Sequence, residues 1–186
     1  LTGGAIPAGA SCNLQFTIRG VLAAGVASAS GTNTIAPGDI GNTRGVNYPG
    51  TTTNITVNSP IVLNKGFSVT PLTAGTDSQL TVRIRNNSLA PLTGVGLADV
   101  VGTGWPAAVR NSGAIGAGNL SACGAGATLT TGTDGGFNKG FTLANATIAS
   151  GAECVISYPV TSDTPGFHTN SIPVGNVGNT QGVTND

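Results

Sequence analysis

Residues 79 to 85 read Gln-Leu-Thr-Val-Arg-Ile-Arg, with Leu80, Val82 and Ile84 on one parity and Thr81, Arg83 and Arg85 on the other. Successive side chains of an extended chain point to opposite faces, so strict alternation describes a strand with one dry face and one wet face. The same period of two recurs at 12–20, 54–57, 67–71, 94–100, 139–145, 154–160 and 167–172. Segment 59–65, Ser-Pro-Ile-Val-Leu-Asn-Lys, reads as a link between two of these runs. No stretch sustains a 3.6-residue period, which leaves no amphipathic helix to build with.

Turn chemistry punctuates the runs. Pro49-Gly50, Asn86-Asn87, Asp134-Gly135, Ser150-Gly151 and Pro165-Gly166 are residue pairs that supply the backbone angles of tight turns. Short strands with regular turns predict an all-β fold, an antiparallel β-sandwich of immunoglobulin type. The stretch 102–136 is rich in Gly and Ala and weakly patterned, and is expected to hold short edge strands and a long loop.

The chain also repeats itself. Residues 5–18, AIPAGASCNLQFTI, match 147–160, TIASGAECVISYPV, with Cys12 and Cys154 aligned 142 residues apart. Residues 32–47, TNTIAPGDIGNTRGVN, match 169–184, TNSIPVGNVGNTQGVT, at a spacing of 137. Two matches in the same order predict domain-sized units in tandem, with a period near 140. On this reading 1–50 is the C-terminal part of one unit and 51–186 is a complete one. The first residue is Leu1 rather than Met, which reads as a processed product or a window from a longer chain.

The repeat bears on the three cysteines. Cys154 has an upstream candidate partner in Cys123, 31 residues earlier. The same spacing applied to Cys12 places its partner in an upstream or neighbouring unit. The alternative is three buried free thiols. A bridge would stabilise by roughly 3–4 kcal/mol and would point to an oxidising compartment.

Charged residues make up only 8% of the chain and the formal net charge is +0. There is thus no basic footprint for nucleic acid and no polybasic membrane patch. The longest apolar stretch, 20–29, is too short and too Gly-rich to span a bilayer, so no membrane insertion is expected of this segment. Few charges, two lysines, no Met and abundant Gly suit an extracellular, cell-surface location.

Parts for catalysis are scarce, and no enzyme is expected. His168 is the single imidazole and is read as structural, since the matching position in the first copy is Gly31. No CxxC accompanies it, which argues against zinc, and neither a metal nor a cofactor is expected. Asp134-Gly135-Gly136 reads as a hairpin turn rather than a calcium loop. Sequons at Asn54, Asn86, Asn119 and Asn145 are matches that so polar a composition produces by chance. Trp105 is either a core plug or a ligand contact.

Residues 67–101, FSVTPLTAGTDSQLTVRIRNNSLAPLTGVGLADVV, and 146–185 with their Gly-x-x-Cys strand and Thr-Pro-Gly-x-x-Thr-Asn ending carry a further pattern. It resembles the immunoglobulin-like repeat domains of unknown function found in large bacterial surface and secreted adhesin-like proteins. The resemblance covers 51–186, with 1–50 included by repetition, and implies stalks, spacers or fibre subunits.

Bacterial surface sandwiches can carry a Lys to Asn amide crosslink, and Lys65, Asp99 and Asn170 stand in the right order for one. The alternative is that Lys65 extends to solvent, Asp99 caps a turn and Asn170 bonds backbone. Two functions follow as expectations. In the first the chain is a structural unit of an extracellular filament, joined end to end with copies of itself, in one long chain or by strand addition. In the second it is an adhesin module that binds glycan or protein on a host or other surface through sandwich loops, with Trp105 in the contact.

Overall fold

The computed structural model describes residues 2–23, 26 and 28–185. Part of the apolar 20–29 stretch therefore lies outside the described residues. The protein is all-β. Its strands are β1 (Ser28–Ile35), β2 (Thr51–Asn58), β3 (Ile61–Phe67), β4 (Asp77–Asn86), β5 (Leu92–Asp99), β6 (Arg110–Asn111), β7 (Leu120–Ser121), β8 (Thr128–Asp134), β9 (Phe137–Ile148) and β10 (Glu153–Thr161).

The strands from β3 onward form two antiparallel sheets. One runs β3-β4-β10-β6, with β7 also on β10, and the other runs β5-β9-β8. The period of two read from the sequence fixes what faces inward. Leu80, Val82 and Ile84 of β4 and Cys154, Ile156, Tyr158 and Val160 of β10 are buried from one sheet. Val95 and Leu97 of β5 and Phe141, Leu143, Ala146 and Ile148 of β9 are buried from the other, and all of these belong to one core.

Two buried asparagines join the sheets. Asn86, at the end of β4, donates from Nδ2 to the carbonyls of Ala90 (2.8 Å) and Ile148 (3.0 Å). Asn111 of β6 donates to the Gly140 carbonyl (2.8 Å) and accepts from the Gly140 amide (3.1 Å). Each side-chain amide thus satisfies backbone groups that burial would otherwise leave unpaired. Burial also removes Asn86 as a glycosylation acceptor.

The alternation at 79–85, 139–145 and 154–160 lies within β4, β9 and β10, and that at 94–100 overruns the end of β5 by one residue. Residues 102–136 hold the short strands β6 and β7 as well as β8. Gly135 (φ 58°) and Gly136 (φ 79°) form the β8–β9 hairpin turn, which needs positive φ at both positions.

Three expectations within 59–172 need correction. Residues 59–65 are not a link but most of β3, because Ile61 is fully buried and β3 pairs with β4 from Ile61↔Asn86 to Phe67↔Leu80. Only Phe67 of 67–71 is in a strand. Residues 167–172 form no strand, although Ser171 donates its amide to the Gly104 carbonyl (3.3 Å).

The last segment runs along β5. The backbones of Gly96 and Gly178 exchange two hydrogen bonds of 2.9 Å, and Thr180 donates to the Thr93 carbonyl (3.0 Å). Val177 is buried, and a bridge joins Asn185 to Ile61 of β3. The C-terminal segment therefore covers the free edge of β5 and reaches the first strand of the other sheet.

The described residues before Ser59 behave differently. β1 and β2 form a separate two-stranded ladder from Ser28↔Asn58 to Ile35↔Thr51. Side-chain bonds such as Thr32 to Asn54 (3.0 Å) decorate it, and it carries no buried residue. The ladder crosses position 50/51, so the two-sheet body begins at Ile61. The strand expected at 12–20 does not form, and Leu14 (67%), Phe16 (73%) and Ile18 (59%) are exposed. Its counterpart β10 is held between β4 on one side and β6 and β7 on the other, and that berth is already filled by β10 itself.

Candidate functional site

The inward rows of β3 and β5 each end in a charge. β3 presents Ile61, Leu63 and then Lys65 at a period of two, and β5 presents Val95, Leu97 and then Asp99. Because the two strands lie in different sheets, the pair meets across the core. Lys65 Nζ stands 3.3 Å from Asp99 Oδ2, with the lysine side chain 13% exposed and the aspartate side chain fully buried.

Asn170 completes the cluster from the segment after β10, donating from Nδ2 to the same Asp99 Oδ2 at 3.1 Å. One carboxylate oxygen thus touches both the amine and the carboxamide. Asp99 Oδ1, Asn170 Oδ1 and the Tyr158 hydroxyl are buried without a hydrogen-bond partner. Such atoms cost free energy in a finished core, and they concentrate at this one place.

The surroundings are aromatic. Tyr158 stacks on Trp105 at 6.4 Å between ring centroids and meets Phe141 edge-on at 6.0 Å, while Phe141 is the cross-strand partner of Asp99. Burial pushes the Asp99 carboxyl above the usual carboxylate range, with Lys65 and Asn170 opposing. Burial likewise pulls the Lys65 ammonium below the usual lysine range, with Asp99 opposing. The Tyr158 phenol is raised by burial first and by the Asp99 charge second. Both shifts ease transfer of a proton from the Lys65 ammonium to the Asp99 carboxylate.

Two glycines allow the approach. Gly140 has φ 75°, and a Cβ there would collide with the Asp99 carbonyl oxygen. Gly104 has φ 126°, and a Cβ there would collide with the Ser171 carbonyl oxygen, next to Asn170. Both positions require glycine, for conformation and for space.

Cys123 and Cys154 form a disulfide, and both are buried. Cys123 follows β7, which pairs with β10, and its carbonyl accepts from Thr147 of β9 at 2.8 Å. The bridge therefore pins the loop region at 102–126 to β10, and that hydrogen bond ties it to β9 in the other sheet. Cys12 is a free, exposed thiol.

Trp105 belongs to the core. Its ring is 4% exposed and donates from Nε1 to the Val109 carbonyl at 2.8 Å, so it offers no surface to a ligand. His168 lies outside any strand, with Nε2 2.8 Å from the Thr164 carbonyl and 3.3 Å from Ser162 Oγ. No group of three or more His, Cys, Asp or Glu residues suited to a metal ion occurs among the described residues. No helix among them is long and apolar enough to cross a membrane.

Sequence reasoning singled out Lys65, Asp99 and Asn170, and the structure brings them into contact. It missed Tyr158, Phe141, Gly104, Gly140 and Asn111. A lone glycine inside an alternating run, as Gly140 is, was the one available signal.

The model of a family described as a domain of unknown function, DUF7933, matches residues 60–186. No curated protein matches the sequence. The match begins one residue before β3 and takes in both sheets, the disulfide and the Lys65–Asp99–Asn170 cluster. The chain belongs to the DUF7933 family.

Proposed function

We propose that this chain is a non-enzymatic structural unit of an extracellular filament or stalk, an immunoglobulin-like sandwich joined end to end with like units. The observation that carries this reading is the repeated C-terminal motif, which takes the same local form twice. Asn42 Nδ2 donates to the Val46 carbonyl at 2.6 Å, and Asn179 Nδ2 donates to the Val183 carbonyl at 2.6 Å. The amides of Val46 and Val183 return to Asn42 Oδ1 and Asn179 Oδ1 at 3.1 and 3.2 Å. Gly45 and Gly182 occupy matching positive-φ turns at 67° and 65°.

The second copy is hydrogen-bonded along β5, while no residue of the first copy is buried. The first copy and the exposed row of Leu14, Phe16 and Ile18 have the chemistry of an element that completes another body of the same kind. A disulfide and sparse charge suit an oxidising location outside the cell. The adhesin alternative loses its candidate contact with the burial of Trp105, so a ligand site would have to lie on other loops.

The size of the native material tests the reading. A covalent string stays very large after boiling in SDS with reductant, and units held by strand addition fall to a species near 18.1 kDa. Recovery of free monomer before any denaturation overturns the proposal.

A further inference from the structure

We propose that Lys65 and Asn170 are joined by an intramolecular amide bond, formed by the protein itself with Asp99 as the catalytic acid–base. The inference rests on the geometry of the cluster and stands independently of the filament reading. Asp99 Oδ2 lies 3.3 Å from the lysine nitrogen and 3.1 Å from the amide nitrogen that would leave. One oxygen is thus placed to take a proton from the nucleophile and give one to the leaving group, as a general acid–base must.

The step balances without a co-reactant. The ammonium of Lys65 first passes a proton to the Asp99 carboxylate, leaving a neutral amine. The amine attacks Cγ of Asn170, and a new C–N bond forms as the carbonyl oxygen takes up negative charge. The attacking nitrogen loses its second proton, Asp99 relays a proton to Nδ2, and the Cγ–Nδ2 bond breaks. Ammonia leaves, and Asp99 is left holding the proton that the Lys65 ammonium gave it at the start. Asn170 Oδ1, buried and unpartnered before reaction, is the atom on which the negative charge develops.

The bond would tie β3, the first strand of the two-sheet body, to the segment that follows its last strand, β10. It would also remove the buried ammonium. Asn33 aligns with Asn170 in the repeat but sits on β1, with no residue on its strand buried. One ammonia is therefore lost per chain, at Asn170 and not at Asn33.

The test is the intact mass of the folded, reduced full-length chain, followed by peptide mapping. The expected result is a mass lower than the sequence mass by one ammonia, with a branched peptide joining Lys65 to Asn170. Lys65→Arg, Asp99→Asn and Asn170→Ala are expected to restore the full mass, and Asn33→Ala to keep the deficit. A wild-type chain at full sequence mass overturns the proposal, and this reading needs no variant to fold. A deficit that persists in Lys65→Arg also overturns it, by showing that the ammonia is lost without Lys65. A deficit that persists in Asp99→Asn removes Asp99 from the step.

Discussion

A double variant, Cys123→Ala with Cys154→Ala, is expected to unfold with about 3.7 kcal/mol less free energy than the wild type, the chain-entropy value for the loop that the bridge closes. The bridge spans 31 residues and both cysteines are buried in the core. Two alanines fill less space than a disulfide, so a packing loss adds to the entropic one. Cys123 also anchors a region with little regular structure, in which β6 and β7 have two residues each. Losing the anchor should loosen that region before the sheets separate. Urea melts of the two proteins check the expectation, with the midpoint lowered and the slope similar. An unchanged midpoint would show that the loop is held by its hydrogen bonds alone.

Lys65→Arg is expected to cost more, because it removes the amide bond proposed above. A crosslink from 65 to 170 closes a loop of about 105 residues, worth about 4.8 kcal/mol on the same chain-entropy scale. Stabilisation grows only with the logarithm of loop length, so the gain over the disulfide is modest although the loop is more than three times longer. Arginine cannot form the amide and leaves a cation beside buried Asp99 where the crosslinked chain has none, so a charge-burial cost adds to the loss of the link. For a body of this size the loss corresponds to a fall in melting temperature of roughly 10 °C or more. Asn170→Ala should reproduce it, and the double variant should add little, since both changes remove one bond. A fall of less than about 1 kcal/mol, the size of an ordinary ion-pair adjustment, would contradict the expectation.

Much of this architecture was legible because alternation is a direct record of which face of a strand is dry. Leu80, Val82 and Ile84 announced β4, and Cys154 to Val160 announced β10, and both are buried as read. The cluster was legible only as an order along the chain, Lys65 before Asp99 before Asn170, because 59–65 did not read as a strand. Their contact was not, because period two gives a face and not a partner sheet. β3 was misread because Pro60 and the polar Asn64 and Lys65 break its pattern, while its identity comes from pairing with β4. The stretch 167–172 alternates like a strand but is held by the close approach of Gly104 to Ser171, a tertiary contact with no local signal. Trp105 illustrates the same limit. Its neighbours in sequence are turn residues, and only the placement of Tyr158 beside it makes it part of the core.

In the proposed filament the segment around Cys12 belongs to another unit of the same kind. Cys12 aligns with Cys154, and Cys154 is bonded to Cys123. Disulfide mapping of the native material, digested without reduction, tests this most directly. The peptide containing Cys12 is expected to be bonded to a Gly/Ala-rich peptide that corresponds to the Cys123 region of a further unit. Recovery of Cys12 as a free thiol in the native material would contradict it.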